Sequence, residues 1–137
     1  MKKNEIIKGN KLIMTFMNNE IMICDRKHFA DEFDTYAFHF DWNWLMQVVD
    51  KIESIKSSQL KRMTPNKHVD GNLKVYLLKD ENVIGFWITN GSQSFVPEAL
   101  SNTITFPKYS KKNPFIEVLY SLIIEFIEWY NDCNRNN

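Results

Sequence analysis

The chain reads as an α+β domain, a three- to four-stranded antiparallel β-meander packed against about three helices. Three observations predict this. Apolar residues recur at intervals of three and four near the start, before the middle and at the end of the chain. In the middle the period changes to two, over Leu73, Val75 and Leu77 and again through Val83–Thr89. Turn formers separate the alternating runs, Asn90-Gly91 most strongly, because both residues tolerate the positive φ of a type I′ turn. A meander with one solvated face and helices on the other buries three apolar helix stripes with few elements.

Residues 4–17 form the first expected helix, with Asn4 as cap and Glu5 in the first turn, where the helix dipole favours a carboxylate. Ile6, Ile13, Phe16 and Met17 share a face, and Gly9 permits a close neighbour. Asn18-Asn19 ends it. Ile21–Cys24 is too short to assign. Residues 25–40 mix acidic and aromatic side chains: residues 25–41 carry five acids and two bases, and residues 29–44 hold seven of the 19 aromatics. If the chain is extended there, Phe38 and Phe40 share a face and His39 takes the other.

Asp41 reads as the N-cap of a second helix that runs to about Ser57 and on which the other elements pack. Its apolar face is Leu45, Val48, Val49, Ile52 and Ile55, with Trp42 one turn ahead. Residues 57–68 are a polar connector with a proline stop. The turn at residues 79–82 joins two strands of a hairpin; Ser92–Val96 would be a third strand and Thr103–Phe106 a fourth, each stopped by a proline. In the last helix Asn113 caps, Pro114 takes the first position and Glu117 lies in the first turn. Ile116, Leu119, Tyr120, Ile123, Phe126, Ile127 and Tyr130 make its stripe. Residues 131–137 read as a frayed polar tail. The chain is expected to be a single domain, residues 1–137.

Composition narrows the function classes. With 44% hydrophobic and 14% aromatic residues the chain is too apolar for disorder. Seventeen basic residues balance 17 acidic ones, so there is no global attraction for nucleic acid or anionic lipid. Cys24 and Cys133 show no CxxC or Cys/His spacing, which argues against a structural zinc site and for free thiols in a reducing compartment. No signal-peptide pattern opens the sequence, and no apolar run reaches the ~20 residues of a membrane span. A cytoplasmic protein, without cofactor and away from membranes, is the expectation.

Three stretches carry a family resemblance. They are Asn10-Lys11-Leu12-Ile13 with Phe16-Met17; His39-Phe40-Asp41-Trp42-Asn43-Trp44-Leu45-Met46-Gln47-Val48-Val49-Asp50-Lys51-Ile52; and Glu125-Phe126-Ile127-Glu128-Trp129-Tyr130-Asn131. Together they resemble a group of small uncharacterised proteins of Bacteroidetes-type genomes and their phages or prophages. That group is built as a helix, a Trp-x-Trp-Leu-Met turn into a second helix, a variable β middle and a closing helix. Gln47 stands where the group's pattern has proline, which leaves the second helix more regular. The resemblance covers about a third of the chain. It implies a mobile-element setting and no particular activity.

Candidate functional residues are few. His39 lies two residues from Asp41, a pairing that general-base or metal chemistry could use if the two converged; the plainer role for Asp41 is the helix cap. No serine or cysteine sits on a glycine elbow. A nucleic-acid surface would draw on Lys56, Lys61, Arg62 and Lys67, or on Lys108, Lys111 and Lys112, with Tyr76, Phe86 and Trp87 stacking from an open sheet face. The favoured class is a non-enzymatic accessory protein that binds another protein, such as a phage-type modulator of a host protein, or that self-associates. Trp42, Trp44, Trp87 and Trp129 are its candidate contacts, since tryptophan anchors interfaces, and Trp42 and Trp44 do not easily face one core together.

Overall fold

The computed structural model describes residues 2–18, 36–56, 72–80, 83–89, 100–105 and 114–135. In order these form α1 (Lys3–Phe16), α2 (Trp42–Glu53), β1 (Lys74–Asp80), β2 (Val83–Thr89), β3 (Leu100–Thr105) and α3 (Pro114–Arg135). The expected fold class is corrected here. The described residues are mostly helical, with helices of 14, 12 and 22 residues against strands of 7, 7 and 6. The sheet is a two-stranded antiparallel hairpin, β1 with β2, which β3 extends along β2. It covers a helical body and is not a three- to four-stranded meander on which helices lie. The strand beside β2 is Leu100–Thr105. It takes in part of the segment assigned to a fourth strand, while Ser92–Val96 lies outside the described residues.

The helix at the centre is α3, and not α2 as the sequence suggested. Its buried residues are Ile116, Val118, Leu119, Tyr120, Leu122, Ile123, Phe126 and Ile127. At 100° per residue they span about 200° of the helix surface, twice the stripe of a helix packed on one side. The excess, Val118 and Leu122, fits a helix that packs against both the sheet and the other helices: α3 touches β2, β3, α1 and α2. Expectation stopped α3 before residue 131, yet it continues through Arg135, with Tyr130 stacked on Phe126 at 5.9 Å and edge-on to Phe16 at 5.4 Å. The remaining arc of α3 carries Glu117, Ser121, Glu125, Glu128 and Asp132.

Helix α1 begins one residue earlier than expected and is not capped by Asn4. The Lys2 amide donates to the Glu5 carboxylate at 3.4 Å, the carboxylate half of a capping box. At the other end Asn18 adopts φ 53°, the left-handed conformation that closes helices and that asparagine tolerates. Its amide donates to the Thr15 carbonyl at 3.1 Å.

Asp41 caps α2 as expected: one carboxylate oxygen accepts from the amides of Asn43 (2.8 Å) and Trp44 (3.2 Å). The helix ends at Glu53, short of Ser57. The Ser54 hydroxyl donates to the Lys51 carbonyl at 2.6 Å, the local bonding by which serine competes with the helical ladder. Asn72 Nδ2 then donates to the Glu53 carbonyl at 2.9 Å, and the Glu53 carboxylate accepts from the Val75 amide at 3.0 Å. Ile55 and Leu73 are bound backbone to backbone at 2.8 Å, and both are buried. The chain therefore leaves α2 to pair with the entry to β1. This tether orients the hairpin so that Val75, Phe86 and Ile88 face the helices, while Leu77, on the edge strand, stays exposed.

Candidate functional site

Glycine 9 sets how closely α1 and α3 approach. A Cβ there would come within 3.0 Å of the Tyr120 hydroxyl, at 3.2 Å from its Cζ and at 3.0 Å from Ile124 Cδ1. The bare backbone lets the hydroxyl end of Tyr120 reach α1. Its hydroxyl donates toward the Ile6 carbonyl (3.2 Å) and Asn10 Oδ1 (3.0 Å), sharing one proton between two acceptors. Asn10 is fully buried. Its amide nitrogen donates to the Tyr36 carbonyl at 3.2 Å and faces His39 Nδ1 at 3.3 Å. Because the Tyr36 carbonyl can only accept, the amide nitrogen must point that way. His39 Nδ1 then offers a lone pair, and the ring proton belongs on Nε2. A largely buried polar cluster thus joins α1, the turn at residues 36–40 and α3.

Next to this cluster an open groove runs between α1 and α3. One part has a volume of about 410 Å³ and is lined by Glu5, Lys8, Gly9, Leu12, Tyr120, Ser121, Ile124 and Glu128. A second part, about 440 Å³, continues past Leu12 and Glu128 to Trp129, Asn131 and Asp132. The floor is apolar and half-buried at Leu12, Ile124 and Trp129; the rim is charged and exposed at Glu5, Lys8 and Glu128. Gly9 lies on Tyr120 and Phe16 on Phe126 and Tyr130, so the two helices run in the same sense. Glu125 sits next on the same arc of α3. Its carboxyl is held above the usual range, first by partial burial and then by the nearby charge of Glu128.

The structure sorts the candidate residues. Trp44 is a core residue, 2% exposed, edge-on to Phe38 at 5.1 Å and tilted against Tyr36 at 6.4 Å. Trp42 is half-buried at the core edge, one turn before the exposed Met46. Trp129 is half-buried against Phe126, at 5.8 Å, and lines the groove. Trp87 stands opposite Tyr76 in the sheet register, and its side chain lies outside what the structure describes. Phe38 and Phe40 do not share a face. The chain turns there, with the amides of Phe40 and Asp41 both donating to the Ala37 carbonyl, so Phe38 is buried and Phe40 is 38% exposed.

His39 and Asp41 are committed separately, one to the polar cluster and one to the α2 amides. Among the described residues no three His, Cys, Asp or Glu side chains gather as a metal site would need. The stacking surface is not assembled as expected either: Phe86 pairs with Leu77 and faces the helices, whereas Tyr76 lies on the other face and is exposed. Of the basic residues named for nucleic acid, Lys56 is exposed and the others lie outside the described residues. No helix of the described residues is long and apolar enough to cross a membrane.

No family model, curated protein or solved structure matches this chain. What can be said of its function rests on its own geometry. Sequence reasoning passed over the groove because its walls lie more than a hundred residues apart. The available signal was Gly9 on an apolar helix face, with Leu12 and Lys8 beside it.

Proposed function

We propose that this chain is a non-enzymatic accessory protein that acts by docking another polypeptide in the α1–α3 groove. The observation that carries this is the groove's composition: Leu12, Ile124 and Trp129 form an apolar floor, and charged residues flank it. Such a floor suits an amphipathic segment whose apolar stripe enters the groove, with tryptophan as a rigid anchor at one end. The polar cluster beneath fixes the spacing of the two walls, so the groove is formed before anything binds. In the mobile-element setting that the family resemblance implies, a host protein would be the natural partner.

The test is an affinity capture with the tagged full chain from nuclease-treated lysate, read by mass spectrometry. Trp129→Ala and Leu12→Asp run in parallel, once circular dichroism shows that both fold. A partner retained by the parent and lost from both variants supports the reading. Retention only on nucleic acid, falling with salt and unchanged in the groove variants, would overturn it in favour of a nucleic-acid-associated factor.

A further inference from the structure

The charges around the groove are self-complementary. Residues 2–16, which are α1 and its cap, carry four lysines (2, 3, 8 and 11) and one glutamate, net +3. Residues 114–135, which are α3, carry four carboxylates (117, 125, 128 and 132) and one arginine, net −3. Lys8 and Lys11 are exposed on the outer side of α1, and Glu125 and Glu128 are exposed on α3. Lys8 and Glu128 line the groove itself, and Lys11 and Glu125 stand one helical turn from them on helices that run in the same sense.

A two-fold axis running along the groove turns a second copy face to face with the first and keeps the helix direction. It lays the basic α1 of one molecule along the acidic α3 of the other, and the same pairing recurs on the far side of the axis. Such an interface is isologous: one patch meets itself, and each complementary pair occurs twice. It also brings each Trp129 side chain to the level of Leu12 in the facing copy, since the two line the same part of the groove. A cation from the second copy would relieve the carboxylate crowding at Glu125 and Glu128.

We propose that the occupant of the α1–α3 groove is a second copy of this chain, docked face to face with its helices parallel, through the lysine stripe of α1 and the carboxylate stripe of α3. This deepens, and rests on, the protein-docking reading above.

The experiment is sedimentation of the full chain over a wide concentration range, at low and at high salt. The parent should approach twice its 16.3 kDa mass at low salt and return to it as salt screens the contact. Lys8→Glu/Lys11→Glu should be monomeric, and so should Glu125→Lys/Glu128→Lys. An equimolar mixture of the two should regain the dimer mass, because every reversed pair is again of opposite sign. A parent that stays monomeric, or a dimer that survives both variants, overturns the proposal.

A second arm separates the two readings. The probe is a labelled helical peptide of leucine and lysine at amphipathic spacing, followed by fluorescence anisotropy. If the parent is monomeric yet binds the probe and Trp129→Ala does not, the second-copy proposal fails and groove docking stands. If neither dimer nor probe binding is seen, both fail.

Discussion

Placing a methyl group on Gly9 tests the packing of α1 on α3 directly. On helix propensity alone Gly9→Ala should stabilise the chain by about 1 kcal/mol. At this position the new Cβ meets the Tyr120 hydroxyl inside 3.0 Å, with backbone α1 on one side and the buried Asn10 on the other. The ring must retreat, which costs about 1–3 kcal/mol as overpacking. If the retreat breaks the hydroxyl's bonds, buried acceptors at Ile6 and Asn10 lose their donor at a further cost of about 1–3 kcal/mol. Set against the propensity gain, the net loss is about 2 kcal/mol. Tyr120→Phe alone should cost about 1–2 kcal/mol, since it removes the donor but keeps the ring. In that background the methyl faces only ring carbon and Ile124, so Gly9→Ala should be close to neutral. The double variant then resembles Tyr120→Phe, a departure from additivity of about 2 kcal/mol. Denaturant unfolding followed by circular dichroism measures all four proteins, with the midpoint moving at constant slope. A Gly9→Ala protein as stable as the parent, or costs that simply add, would refute this account of the contact.

Other predictions follow from single features. Asp41→Ala removes the acceptor for the Asn43 and Trp44 amides and should cost about 1 kcal/mol, with Asp41→Asn recovering most of it in thermal unfolding. Trp44→Ala empties a fully packed site among Phe38 and Tyr36 and should cost about 3–5 kcal/mol, whereas Trp129→Ala, half-exposed, should cost clearly less in the same assay. For Glu125 the folded-state pKa is raised, so the folded chain holds a proton that the unfolded chain has released. Its contribution to stability is therefore lost as pH rises through the carboxylate range toward the raised value, and Glu125→Gln should flatten that part of the stability–pH curve and leave neutral-pH stability unchanged or higher. A curve of unchanged slope in that variant would count against the assignment.

What could be read from the sequence was whatever is decided locally. The Asp41 cap needs only the amides two and three residues on, and the start of α3 is set by Pro114 and Glu117 within its own first turn. The β1–β2 hairpin is likewise a matter between adjacent segments. What could not be read depended on distant partners. The end of α2 was misplaced because Asn72 and Val75, some twenty residues ahead, take its last carbonyl and the Glu53 carboxylate. The role of α3 as the central helix turned on Val118 and Leu122, which fit a one-sided stripe poorly and make sense only with a sheet behind them. Asn10, on an otherwise apolar helix face, gave no hint of its use, since Tyr120 is 110 residues away. The groove was hidden for the same reason, whereas the stripe spacing of Glu117, Glu125, Glu128 and Asp132 was present in the sequence all along. Trp42 and Trp44 did divide as their offset demanded, one inside and one at the edge, though the sequence did not say which.

The reach of the Asn10–Tyr120 bond has a kinetic consequence. Closing so long a stretch of chain carries an entropic cost that a single shared proton cannot repay. The α1–α3 contact therefore belongs to the downhill side of the folding barrier, after α2, the hairpin and α3 have assembled. Removing the Asn10 side chain should then leave the refolding rate almost untouched and express its whole cost as faster unfolding. The first helix would be the last to find its place and the first to leave it.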